Sequence, residues 1–329
     1  MSGRILVTGS AGHLGEALMR TLRAAAHDVV GLDIAASPYT DAVGSVADRD
    51  FVERCMRGVQ AVLHTATLHK PHVATHTRQD FVDTNITGTL NLLEAAAANG
   101  VGAFVYTSTT SAFGDALTPP EGEPAAWITE DVVPVAKNIY GATKTAAEDM
   151  CRLFHRKQRL PCVVLRTSRF FPEPDDNPAL RSAYADGNIK ANEFLYRRVD
   201  VQDIVDAHLL AIARAPEIGF GRYIVSATAP FQLEDRAELR SDAPAVVARR
   251  VPGYEAEYAR RGWRMFPSIE RVYVNAAARQ ALGWRPRYDF AYVLERLRTG
   301  EDPRSPLAQA IGIKGYHGPS FEDGLYPVE

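Results

Sequence analysis

The chain has 329 residues, 46% apolar and 23% charged, a globular profile long enough for one large α/β unit or two coupled ones and unlike a disordered or fibrous chain. Its 37 Lys and Arg against 40 Asp and Glu leave a net charge of −3 without a long basic run, so no nucleic-acid partner is expected. The amino-terminal apolar run is too short for a signal peptide, and no stretch of about 18 apolar residues would span a membrane; with only three cysteines (Cys55, Cys151, Cys162), a reducing cytoplasm is expected.

Short β-rich runs alternate with helical periodicity. Strands are predicted over 4–8, 28–33, 61–64, 103–108 and 162–167, with helices over 14–25, 51–57, 84–99 and 140–157 between them. Asp48 offers an N-cap to the second helix, and Gly100 ends the one containing Leu92 and Leu93. The run from Arg169 through Phe170, Phe171, Pro172, Glu173, Pro174 and Asp175 to Asp176 breaks the alternation and marks a boundary or a functional loop. Beyond it, a helix near 201–213 and a strand near 222–226 precede helical pieces near 233–239, 243–249, 275–282 and 290–298. The expected fold is a Rossmann-type doubly wound parallel sheet (α/β) over 1–170. A smaller substrate lobe follows over 171–299, with some segments returning to the sheet, and then an extended tail over 300–329.

At the first strand-to-helix turn stand Gly9, Gly12 and Gly15, at a three-and-three spacing. A helix N-terminus offers free N–H groups and the positive end of its dipole to a pyrophosphate when no side chain blocks the backbone. A tight turn with a close helix contact is the plainer reading of the same glycines. Asp33, at the end of the second predicted strand, is placed to accept both ribose hydroxyls of an adenosine and to repel a 2′-phosphate, which favours NAD over NADP. A solvated turn residue is its other reading.

Tyr140 and Lys144 lie four residues apart, on one helix face. A phenol with a pKa of about 10 is a poor base at neutral pH unless a nearby cation favours its ionised form. Ser108, Thr109, Thr110 and Ser111 follow the fourth predicted strand, at the sheet edge where open α/β sheets bind ligands; ordinary turn chemistry would also place hydroxyls there.

Taken together and in this order, these features resemble the extended short-chain dehydrogenase/reductases, specifically the NAD-dependent epimerase/dehydratase family that includes UDP-galactose 4-epimerase. Family-like segments are also His64 to Thr67, Asn85 to Thr89, Phe113-Gly114, Leu165-Arg166, Val199 to Ile204 and Ala281 to Pro286. The resemblance implies that Gly9, Gly12, His13, Leu14 and Gly15 cradle the NAD pyrophosphate and that Asp33 binds the adenosine ribose. It further implies that Thr65, Ala66, Thr67 and Asn85 line the cofactor's path, joined by Tyr140 and Lys144. Thr109, Tyr140 and Lys144 fall on the catalytic positions, with Tyr140 taking a proton from a substrate hydroxyl as hydride leaves. A sugar-like small-molecule substrate and a homodimer through the helices containing Asn91 and Ala147 are expected on the same ground.

Three departures bear on the substrate. The acid often near the adenine is Ser45, Arg169 stands where nucleotide-sugar members carry an asparagine, and Thr110-Ser111 replaces the Asp-Glu pair of dehydratases, which argues against 4,6-dehydration. His69, Thr110, Ser111 and Arg169 are candidate substrate contacts. His64, His69, His72 and His76 are unevenly spaced without a carboxylate or cysteine partner, and no metal site is expected. Epimerisation is the leading reading. An aldose, uronate or other alcohol dehydrogenase that releases NADH is the alternative within enzymes, and a non-catalytic NAD sensor or scaffold is the alternative outside them.

Overall fold

The computed structural model describes residues 3–314. Strand β1 (Arg4–Thr8) enters helix α1 (His13–Ala24), followed by β2 (Val29–Asp33), the short β3 (Ala42–Val43), α2 (Arg49–Cys55) and β4 (Val59–His64). Helix α3 (Arg78–Phe81) and a π-helical turn over Val82–Thr87 run into α4 (Gly88–Ala98), then β5 (Ala103–Thr109), β6 (Ala126–Ile128), α5 (Ile139–Gln158) and β7 (Cys162–Thr167). The second half contributes α6 (Pro178–Ala183), α7 (Asp186–Glu193), α8 (Val201–Ile218) and β8 (Phe220–Val225). It ends with α9 (Arg236–Ser241), α10 (Ala243–Arg250), α11 (Tyr254–Arg261), β9 (Arg271–Tyr273), α12 (Ala276–Leu282), α13 (Phe290–Thr299) and α14 (Pro306–Ile311).

Seven strands form one parallel sheet in the order β3-β2-β1-β4-β5-β7-β8. Alternate residues serve opposite faces. Ile5 and Val7 of β1 join a core with Leu14 and Leu18 of α1 and Ile204 of α8, whereas Leu6 joins a core with Leu92 of α4 and Cys151 of α5. Both faces are therefore covered, as a parallel sheet requires. The order of strands reverses at β1, whose neighbours are β2 and β4, so the crevice for a ligand opens at the carboxyl ends of these strands.

Helix α5 starts where the Asn138 side chain accepts from the Gly141 amide (3.1 Å), and it buries a stripe of Tyr140, Lys144, Ala147, Glu148 and Cys151. The expected cap is present at α2 as well, with Asp48 accepting from the Phe51 amide at 3.1 Å. Strands β6 and β9 pair in a separate parallel ladder, Ala126 with Arg271 to Ile128 with Tyr273. Beside it, Leu195, Phe231, Val247, Tyr258, Phe290 and Leu294 form a smaller core. Of the segment expected to be extended, residues 306–311 are helical, because Ser305 caps them and Leu307, Ala308 and Ile311 find apolar partners on the main core. Residues 315–329 lie outside the described residues.

Candidate active site

The glycine loop is shaped by close approach. Gly9 has a φ of +72°, and a Cβ on Gly15 would stand 1.8 Å from the Gly9 carbonyl oxygen, so α1 packs directly on the end of β1. Gly12, at the N-cap of α1, supplies no side-chain acceptor to the first amides of the helix, which leaves them for an anion. Asp33 accepts from the amides of Ala11 and Ala35, each at 2.9 Å, so its carboxylate braces the loop from the end of β2. The loop and Asp33 line one cleft of about 1230 Å³ together with Thr65, Ala66, Thr67, Thr109, Tyr140 and Lys144. A glycine cradle, bare helix amides and a carboxylate at the second strand fit a dinucleotide.

At the other end of the cleft, Tyr140 and Lys144 are both buried on α5. Burial pushes the Tyr140 phenol up to about 12, against the pull of its hydrogen bond with Thr109. Burial draws Lys144 down to about 7, with Glu148 acting in the opposite sense. The Lys144 ammonium donates to the Thr107 carbonyl (2.7 Å) and lies 4.2 Å from the ring centre of Tyr106, so β5 fixes it beneath the phenol's helix. Thr109 also accepts from the Ser111 amide at 3.0 Å, which turns the chain after β5. Thr110 is buried and its hydroxyl faces the Thr167 carbonyl at 3.4 Å, whereas Ser111 is exposed on the rim.

The remaining candidates divide into cavity residues and struts. His13 and Leu14 line the cleft at the start of α1, and His69 lines it too, with its ring stacked on Phe171, 5.5 Å between centroids, the same ring that His13 meets edge-on. Arg169 lines the cleft too, but its guanidinium is tied to Asp175 (3.1 Å) and Asp176 (3.3 Å). Asn85 is not among the residues lining the cleft. Its amide donates to the Leu68 carbonyl (2.9 Å) and Thr143 hydroxyl (3.0 Å) and accepts from the Leu68 amide (2.8 Å) and Thr67 hydroxyl (3.0 Å). All its hydrogen-bonding capacity is thus used in fastening the loop after β4 to α5. His64 is likewise internal, between the Thr8 (2.8 Å) and Thr89 (3.0 Å) hydroxyls, and burial draws it down to about 3.

Sequence reasoning missed Glu148, Asp176, Lys70 and Lys314. Glu148 accepts from Ser108 (2.6 Å) and from Arg166 at two nitrogens (3.0 and 2.7 Å), joining α5, β5 and β7 beneath the site. Its signal was present: it stands one helical step beyond Tyr140 and Lys144 on the same face. Lys70 and Asp176 meet at 3.3 Å across 106 positions of sequence, which no local pattern announces.

The model of the NAD dependent epimerase/dehydratase family matches residues 5–225. The chain belongs to this family. NAD is therefore its cofactor, and the chain is an NAD-dependent enzyme of the extended short-chain dehydrogenase/reductase type. It is 28% identical to a UDP-glucose 4-epimerase of Streptomyces lividans over 336 residues, covering 89% of this chain and 94% of that one. To a uronate dehydrogenase of Pseudomonas syringae pv. tomato it is 29% identical over 191 residues, covering 53% of this chain and 62% of that one. Among solved structures, a short-chain dehydrogenase/reductase superfamily protein from Agrobacterium tumefaciens with bound NAD superposes with a TM-score of 0.65 at 25% identity, over 90% of this chain and 96% of that one.

Proposed function

We propose that this enzyme oxidises a hydroxyl of a sugar or nucleotide sugar, with Tyr140 as the base, Thr109 as the orienting hydroxyl and Lys144 as the cation that favours the phenolate, and that epimerisation completes the reaction. The observation that carries the reading is the convergence of these three side chains with the glycine loop and Asp33 in one cleft. NAD, when bound, would supply the hydride acceptor and a positive charge that favours the phenolate. Thr109 bonds both the phenol and the chain turn after β5, which suits it to hold a substrate oxygen toward Tyr140. Lys144, four residues along the same helix face, buried and anchored on the Thr107 carbonyl, is the cation assigned to favour the phenolate while it keeps its own proton. Asp33 favours NAD over NADP, since a carboxylate there repels a 2′-phosphate.

A second reading is favoured by one observation. Arg169 replaces the asparagine of nucleotide-sugar members and is engaged by Asp175 and Asp176, an arrangement that suits a smaller substrate without a diphosphate. On that reading the enzyme is an aldose or uronate dehydrogenase that releases NADH. Purified protein mixed with NAD and, in turn, free sugars, uronates and nucleotide sugars separates the two. Interconversion of a nucleotide sugar without net NADH supports epimerisation, and stoichiometric NADH from a free sugar or uronate overturns it in favour of the dehydrogenase. We also infer a homodimer through α4 and α5. Asn91 and Ala147 themselves are buried within the chain, so the outer residues of these helices, such as the 47% exposed Leu153, would make the contact.

A further inference from the structure

We infer that Lys314, delivered by α14, is part of the dinucleotide site and contributes its charge to holding the NAD pyrophosphate. The segment that carries it is firmly built in. The buried Ser305 donates its amide to Asp200 (3.0 Å), and its hydroxyl accepts from the Ala308 amide (3.0 Å) at the start of α14. Leu307, Ala308 and Ile311 pack against the core that includes Leu14 and Leu18 of α1. Gly312 then turns with a φ of +65°, and its carbonyl meets the His13 ring at 3.0 Å. Two residues later the Lys314 ammonium donates to the Ala11 carbonyl (2.8 Å) and pairs with Glu16 of α1. It lies on the wall of the same cleft as Gly9, Gly12 and Gly15.

Charge and geometry both give this contact a role. Glu16 also receives Arg20 at 2.7 Å, and Glu173 lies 3.6 Å from the His13 ring at the same end of α1, so Lys314 and Arg20 balance the two carboxylates there and keep the wall from repelling an anion drawn by the helix dipole. The Ala11 peptide is held from both sides, its amide by Asp33 and its carbonyl by Lys314. Without the lysine, that carbonyl would stand unpaired in a cleft that takes a diphosphate, next to the negative charge of Asp33. Lys314 offsets both repulsions.

The test uses the full chain and calorimetric titration of NAD and ADP-ribose, with adenosine followed by ligand-observed NMR. Lys314→Ala is expected to weaken NAD and ADP-ribose about tenfold, the scale of one hydrogen bond to a charged group, and to leave adenosine unchanged. Lys314→Arg should recover most of the loss, and the wild type should lose affinity with added salt more steeply than Lys314→Ala. Unchanged affinity for ADP-ribose overturns the inference. So does an equal loss for adenosine, which would reveal a merely collapsed loop. Should Lys314→Ala fail to fold, Glu16→Gln decides: freeing the lysine from its carboxylate should tighten ADP-ribose, and weaker binding overturns the assignment. Wild-type NAD binding is measured in the same series, so a failure of cofactor binding itself is told apart from a failure of Lys314.

Discussion

Tyr140 sits where burial works against its ionisation, and its use as a base depends on what surrounds it. With the phenol pushed up to about 12 and Lys144 drawn down to about 7, the oxidative rate should rise with pH toward neutrality as the phenolate becomes accessible and level off above it as Lys144 gives up its proton. Tyr140→Phe should lower kcat by about 10²- to 10⁴-fold while NAD still binds, and a variant with wild-type turnover on an identified substrate would remove the mechanism. Asp33 makes a second prediction at this scale. Its carboxylate braces Ala11; if it also receives the ribose as proposed, Asp33→Ala should lose the preference for NAD and bind NAD less tightly, which comparison of kcat/KM with NAD and NADP checks. Both residues were legible in the sequence because spacing along one helix and position at a strand end are local properties. Arg169 was legible as a residue but not as a partner, since its neighbours Asp175 and Asp176 come from a loop whose path only packing defines.

Among the elements, α5 is held to β5 and β7 by charge as well as by apolar contact. Glu148 and Arg166 are both almost wholly buried and bonded through two nitrogens, with Ser108 as a third partner and Arg222 at 3.2 Å. Removing one member of such a pair leaves the other charge buried, at a cost of about 3–5 kcal/mol. Glu148→Ala should therefore destabilise the protein by about that amount, and the double variant Glu148→Leu, Arg166→Met should recover much of it, both read from urea unfolding midpoints. Equal destabilisation in the single and double variants would show that the pair is not what links these elements. The long, regular elements were foreseen to within a few residues because two faces of core along each strand impose clear patterns. Helices α6, α7 and α11 in the second half were not foreseen, nor were strands β3, β6 and β9. The three strands have two or three residues each, too few to carry alternation, and β6 exists only because β9, about 145 positions later, lies beside it.

For the whole molecule, acid stability should depend on histidines held neutral in the interior. His208 is fully buried between the Thr107 hydroxyl (2.7 Å) and the Ile204 carbonyl (2.8 Å), and burial draws it down to about 4. Between that value and the ordinary 6.5, the unfolded chain binds a proton that the folded chain does not, so His208 lowers stability as pH falls through this window. Asp203, pushed up to about 7 by burial, acts in the opposite sense over much of the same range, so a variant is needed to isolate the histidine. The stability advantage of wild type over His208→Gln should narrow between pH 7 and pH 5, measured by urea unfolding; an unchanged difference rules the effect out. Light scattering tests the other prediction at this scale. A dimer should give twice the 36.1 kDa chain mass, and Leu153→Glu should give the monomer, whereas a monomeric wild type overturns the pairing of α4 and α5.

The sequence alone determined the parallel α/β architecture, the glycine loop, Asp33 and the Tyr140–Lys144 face, because each is set by periodicity or spacing within one element and its turn. Tertiary structure decided that Asn85 is a strut away from the cleft, that Glu148 ties α5 to the sheet, that Asp176 bridges Lys70 and Arg169, and that Lys314 reaches the first loop of the chain. These contacts join residues from separate elements, and the free energy that selects them lies in the packing of those elements against one another.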